Sequence, residues 1–294
     1  MTISAAQVKE LRERTGLGMM ECKAALVETG GNIETAIDLL RSKAGAKVEK
    51  KAHRVAAEGA IAAHVEAASG VGALVEVNSE TDFVAKDERF GAFAQALATL
   101  VATHDPADRD ALLALPYPGG GTVAEARVAL GAQFGENMSV RRFVRLAAPA
   151  GARLGHYVHG RRIGVLVTVM GGDDQLARDL AMHIAASRPT HVRAEDVGAD
   201  VIEREKAIYL AQAEGSGKPP EIIEKMVMGK VRKYLDEITL LGQAFVKDPE
   251  TTVAAHLKRA GAEVQAFYRL EVGEGIEREQ SNFASEVMSQ VRGS

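Results

Sequence analysis

The chain has 294 residues, with 36 basic against 40 acidic side chains and a formal charge of −4. Hydrophobic residues make up 46% and charged residues 26%, a globular balance that excludes a chain disordered throughout. A single cysteine, Cys22, excludes an internal disulfide framework and a cysteine-based zinc site, and no apolar run approaches the ~18 residues of a membrane span.

The start, Met1-Thr2-Ile3-Ser4, has neither the basic nor the apolar region of a secretory signal, so the expected compartment is the cytoplasm. The length suggests about two domains. There is no Trp, and the first aromatic residue is Phe83. An opening segment without aromatics must pack through leucine and alanine, which favours helices. Residues 1–45 predict three short helical stretches around Val8 and Leu11, Met19 to Leu26, and Ile33 to Leu40, with Asn32 as an N-cap. The basic stretch 41–54 reads as a solvated linker or helix extension, and a domain boundary is placed there.

Two strands are predicted at 59–65 and 72–77, joined around Ser69-Gly70. Phe90, Phe93, Ala94, Leu97, Leu100 and Val101 then fall at the spacing of an amphipathic helix, with Asp87 as its cap. A loop is expected over 116–121, then a helix from Thr122 leading to a strand at 142–146. The second half repeats this order. Strands are predicted at 154–160 and 163–169, a helix at 173–187, and a helix from Thr252 leading to a strand at 266–270. Residues 196–236 insert a helical hairpin, and 276–294 predict an amphipathic helix. The expected fold class is α+β. Residues 1–54 form a helical module with its linker, 55–148 and 149–275 form two core units, the second holding the hairpin, and 276–294 form a terminal module.

Catalytic motifs are missing: there is no GxxxxGK[ST], GxSxG or HExxH. Gly119-Gly120-Gly121 lacks the following Lys-Ser/Thr of a phosphate cradle and reads as a turn. His156 and His159, three apart on a strand, point to opposite faces and make a poor metal pair. Cys22 lies in an apolar helix and reads as a packed small hydrophobe. A binding function is therefore favoured over an enzymatic one. Nucleic acid is disfavoured, because the basic stretch carries no interleaved aromatic and the chain is acidic overall. The segment Thr81-Asp82-Phe83-Val84-Ala85 follows a strand end. A large aromatic in such a connection either tucks into the core, which the pattern alone favours, or is presented with Asp82 on a loop for binding.

Several blocks resemble the elongation factor Ts family of translation proteins. They are Val8 to Gly16 with Gly18 to Leu26, Glu76-Val77-Asn78 with Thr81 to Ala85, and His159-Gly160 with Arg162 to Val167. Ala181 to Ala186, Gly217-Lys218-Pro219 and Glu271 to Glu277 complete the series. The resemblance implies a ubiquitin-associated-like three-helix module, a duplicated core, a coiled-coil hairpin and a C-terminal helix. It implies a nucleotide exchange factor without covalent chemistry and without cofactor or metal of its own. The implied partner is elongation factor Tu, GDP-bound and nucleotide-free, with no direct nucleic-acid or membrane contact. The hairpin is a candidate for homodimer contacts. By resemblance Asp82 and Phe83 form a wedge that dislodges the partner's Mg²⁺, flanked by Thr81 and Val84. Arg12, Met19 and Met20 would dock the N-terminal module, and Gly135 and His159 match positions that touch the partner. Two departures stand out: Arg161 where the family often has glycine, and Phe134 where an aliphatic residue is usual.

Overall fold

The computed structural model of the protein describes residues 3–66, 68–213 and 218–277. The expected helix at 276–294 lies almost wholly outside the described residues. Helices α1 (Ala5–Thr15), α2 (Met19–Glu28) and α3 (Ile33–Glu49) close over Leu11, Cys22, Leu26, Ala36 and Leu40. Ser4 caps α1 and Gln7 answers it reciprocally, while Asn32 caps α3. Helix α3 runs to Glu49, so most of the basic stretch from residue 41 is helix rather than free linker.

Strands β1 (Glu58–Glu66) and β2 (Val71–Ser79) pair antiparallel as expected. The short helix α4 (Asp82–Lys86) follows, then the long α5 (Glu88–His104), capped by the Asp87 carboxylate accepting from the Arg89 N–H. A helix the sequence pattern did not suggest, α6 (Arg109–Ala114), precedes the glycine turn. Helix α7 (Val123–Phe134) then leads to β3 (Met138–Ala147). The sheet order is β1-β2-β3, and α5 covers one face with Phe90, Phe93, Leu97 and Val101.

The second half begins with β4 (Ala152–His159), β5 (Ile163–Met170) and α8 (Asp174–Ser187). The insertion follows as α9 (Ala199–Ala213) and α10 (Pro220–Ile238), packed on each other with Val227 and Val231 buried. A small ribbon, β6 (Ala244–Phe245) with β7 (Asp248–Thr252), was not anticipated. Helix α11 (Val253–Ala260) then leads to β8 (Glu263–Glu271), giving a second antiparallel sheet of order β4-β5-β8 under α8.

The two sheets share their three-stranded antiparallel order. Each loses register at one place, between Glu76 and Val77 in β2 and between Thr168 and Val169 in β5. They pack face to face through Ile61, Leu74, Leu166 and Leu270. Close approach is permitted by one glycine in each central strand. A Cβ on Gly72 would lie 2.7 Å from Leu154, and one on Gly164 would lie 2.5 Å from Ile61.

At the bulge of the first sheet, Glu76 is 0% exposed. It accepts from Arg142 Nε (2.6 Å), the Gly273 N–H (2.8 Å), Arg141 Nη1 (3.0 Å) and Asn78 Nδ2 (3.1 Å). Burial pushes its carboxyl up, but the Gly273 N–H and the two guanidinium groups prevail and hold it below the usual carboxylate range. Because Gly273 follows β8, this carboxylate ties the first sheet to the end of the second. An amide at this position keeps one acceptor oxygen but removes the carboxylate facing Arg141 and one of the two facing Arg142. Glu76→Gln should therefore lower unfolding free energy by about 3–5 kcal/mol, and a loss below about 1 kcal/mol in denaturant titrations would show the clamp to be dispensable.

His183 on α8 is buried. Gln243 donates through its amide nitrogen to the carbonyls of Ser187 and Glu237, so its oxygen faces the His183 Nε2 at 3.0 Å as an acceptor. The ring therefore carries its proton on Nε2, and Nδ1 accepts the Val246 N–H at 3.2 Å. Burial lowers the imidazole pKa despite the Gln243 bond. A depressed histidine contributes stability above its unfolded pKa of about 6.5 and loses it as pH falls. The melting midpoint should drop between about pH 7.5 and 5.5, and His183→Gln should flatten that slope; an unchanged slope would assign the titration elsewhere.

Candidate partner-binding site

The residues around Phe83 form a helix rather than a loop. Thr81 caps α4, its hydroxyl accepting from the Val84 N–H at 3.4 Å. The Lys86 ammonium, one turn on, lies 2.6 Å from Asp82 Oδ2. That hydrogen bond holds the Asp82 carboxyl below its usual range, so it is charged at neutral pH.

The burial of the segment overturns the core position that the apolar pattern alone favoured for Phe83, and it places Val84 inside. Phe83 does not tuck into the core: its side chain is 81% exposed. A five-residue helix presents one narrow face to the protein, and Val84 and Ala85 take it, both being buried. Val84 packs into the core beneath α5 and is not available as a surface contact. The apolar spacing could not show which residue of Phe83-Val84-Ala85 faces inward, because α4 is too short for a periodicity to register.

The base of α4 is strapped to the turn between α7 and β3. Glu136 Oε2 accepts from the N–H groups of Glu80 and Thr81, each at 3.1 Å, and its Oε1 accepts from the Thr81 hydroxyl at 2.6 Å. In return Glu80 Oε1 accepts the Asn137 N–H at 2.6 Å. Asn137 donates through Nδ2 to the carbonyls of Ala52 (3.3 Å) and Arg54 (2.8 Å), and Lys51 donates to the Gly135 carbonyl. Gly135 ends α7 with φ at +71°, the left-handed conformation that glycine takes without a side-chain clash. Glu80, Glu136 and Asn137 were not singled out in the sequence; the one available signal was a run of polar residues between a predicted helix and strand.

The other expected contacts lie on separate elements. Arg12 is exposed on α1, and Met19 and Met20 open α2 at 58% and 74% exposure, although their own module has a closed core. Gln133 on α7 reaches the end of α1, its Nε2 donating to the Thr15 carbonyl at 2.9 Å. His159 is exposed at the end of β4, its Nδ1 3.0 Å from the Tyr157 hydroxyl. Among the described residues, hydrogen bonds join Glu80 and Thr81, at the entry to α4, to the 135–137 turn but not to Arg12, Met19, Met20 or His159. Arg161, beyond His159, has φ at +57°, a left-handed conformation that glycine would take without a side-chain clash. Its carbonyl accepts the Ile61 N–H at 2.7 Å, fixing the turn to β1.

Among the described residues, no group of three or more His, Cys, Asp or Glu could hold a metal ion, and no helix is long and apolar enough to cross a membrane. Phe83, Met19, Met20, Arg12 and His159 are exposed side chains carried on helices and a strand end of the fold.

The family model described as Elongation factor TS matches residues 80–274. The chain is 56% identical over 293 residues to "Elongation factor Ts" of Thioalkalivibrio sulfidiphilus and 55% identical over 294 residues to that of Alkalilimnicola ehrlichii, each match covering 100% of both chains. The same name is carried by a Francisella tularensis subsp. novicida relative, 53% identical over 291 residues and covering 99% of both chains. With a family model spanning α4 to the end of β8 and relatives aligned end to end, the chain belongs to the elongation factor Ts family.

Proposed function

We propose that the protein binds elongation factor Tu in its GDP-bound form and accelerates GDP release through Asp82 and Phe83. No bond of the nucleotide is made or broken. The partner holds GDP through phosphate-cradling backbone amides and Mg²⁺. A factor that binds the nucleotide-free partner better than the loaded one must, by linkage, weaken nucleotide binding by the same factor. Entry of an apolar ring beside the phosphate and Mg²⁺ elements supplies that preference, because the ring is buried only when those elements have moved. The Asp82 carboxylate, with Lys86 beside it, would sit at the rim and orient the approach. Thr81 and Val84 then hold α4 from behind rather than touch the partner.

The observation that carries this reading is the exposure of Phe83 on an anchored helix. A Phe side chain left in water forgoes roughly 1.5–3 kcal/mol of burial, and α4 buries two neighbours while presenting the ring outward. Burial of that ring against the partner recovers the energy at the moment of exchange.

The methionine pair supplies a second contact. Met19 and Met20 are flexible apolar side chains exposed at the start of α2, and Arg12 is exposed on α1, a combination suited to docking. Gly135, which ends α7, and His159, which ends β4, complete the proposed contact set.

The decisive experiment follows release of fluorescent GDP from elongation factor Tu at increasing concentrations of the chain. Phe83→Ala should slow the maximal catalysed release by about 10- to 100-fold, with unfolding free energy changed by no more than about 0.5 kcal/mol. Asp82→Ala should slow it less, since a rim carboxylate is partly solvated. Full activity in Phe83→Ala would remove the wedge. The double variant Met19→Ala/Met20→Ala should instead raise the concentration needed for half-maximal release by about 10-fold and leave the maximal rate nearly intact. A lowered maximal rate at saturation would move the methionines from docking to exchange itself.

A further inference from the structure

Given the exchange role proposed above, we propose that Glu136 is a positioning residue of the exchange surface: its carboxylate fixes the entry into α4 and thereby the direction in which Phe83 points.

The ladder between β2 and β3 ends at the pair Ser79–Met138. Beyond it the chain leaves the sheet, and α4 is too short to form or orient itself alone. The N–H groups of Glu80 and Thr81 would have no strand partner there. Glu136, on the far side of the gap, accepts both at 3.1 Å through one oxygen and the Thr81 hydroxyl at 2.6 Å through the other. Because the hydroxyl proton is committed to Glu136, the Thr81 oxygen turns its lone pair toward the Val84 N–H and caps the helix. Ser79 secures the same corner by donating to the Thr81 carbonyl at 2.9 Å. Glu80 crosses the other way to the Asn137 N–H, so each carboxylate is satisfied by the opposite segment. Val84 and Ala85 fix the depth of the helix, and the carboxylate strap fixes its rotation. Phe83, exposed to solvent, takes its direction from the helix that carries it.

The strap also ends at the N-terminal module. Asn137 holds the Ala52 and Arg54 carbonyls, and Lys51 reaches the Gly135 carbonyl. The 135–137 turn is therefore the joint at which the chain descending from Arg12, Met19 and Met20 meets the support of Phe83.

The test uses the full chain in the GDP-release assay. Glu136→Ala should lower the maximal rate by about 10-fold with little change in the half-saturating concentration. Thr81→Val should lower it by about 5-fold, and Thr81→Ser, which keeps the hydroxyl, should restore it to within about 2-fold. The double variant Phe83→Ala/Glu136→Ala should be no slower than Phe83→Ala alone, because Glu136 acts through that ring. Full multiplication of the two losses, or a normal maximal rate in Glu136→Ala, would overturn the proposal. If Glu136→Ala does not fold, Thr81→Val and Thr81→Ser decide the matter, and equal rates would overturn it. If Phe83→Ala is itself fully active, the exchange role falls, and the strap is then read by amide hydrogen exchange. Loss of protection at Val84 and Ala85 in Thr81→Val, restored in Thr81→Ser, would support the strap; unchanged protection would refute it.

Discussion

A carboxylate with no access to water sits where the two sheets are joined, and the remainder of the architecture is arranged around keeping it charged. Glu76 is taken from the solvent at a cost of several kcal/mol. It persists as an anion because Arg141 and Arg142 arrive from β3 and the Gly273 N–H arrives from the end of β8. Those donors are distant in sequence, so they converge only when β2, β3 and β8 are all in register. The bulge after Glu76 directs two successive arginines to one acceptor, which a regular strand, with alternating faces, would not do. Arg142 extends the network to the Glu271 carbonyl and the Glu274 carboxylate.

The corresponding place in the second sheet shows what this arrangement adds. Thr168 stands before the matching register shift, buried and uncharged, and its hydroxyl donates to the Ala266 carbonyl at 3.3 Å. The two sheets share strand order, covering helix, glycine-mediated approach and bulge, yet at the bulge the first holds a buried carboxylate and the second a buried hydroxyl. They differ in the same way beyond their central strands. The first sheet releases the chain into α4 and its exposed Phe83. The second proceeds from β5 into α8, where the helix is capped directly by Asp173 and no such projection arises. One framework thus supports two outcomes, with the proposed function placed where β2 leaves the sheet.

Rigidity below and exposure above define the candidate site. Loops that carry binding residues are commonly held by a scaffold, and here the scaffold reaches into the presenting element. Polar atoms are used for this purpose because the α4 entry has unpaired N–H groups that apolar packing would leave unsatisfied. Charged acceptors make short, directional bonds, so they orient a short helix better than packing alone. Arg161 illustrates the complementary cost. It occupies a left-handed conformation and stays because its carbonyl is needed by β1 and its guanidinium lies against Gly91 of α5.

The sequence by itself determined the elements whose periodicity spans several turns or strand pairs. Helix α5, the strand pairs β1–β2 and β4–β5, the caps Asn32 and Asp87, the inserted helices and the repeated order were all legible, because burial on one face imposes a period of 3.6 or 2 on any stretch long enough to show it. The family was legible from motifs spread along the chain. Segments too short for a period were not: α6, the β6–β7 ribbon and, most consequentially, α4. The favoured sequence pattern placed Phe83 inside, and only the tertiary structure decided that Val84 and Ala85 take the inward face and leave the ring in solvent. The role of Glu136 was equally invisible, since a lone glutamate after a helix-ending glycine looks like solvated surface. Its partners lie 55 and 56 residues away, and local sequence carries no record of which distant N–H groups folding will leave unpaired.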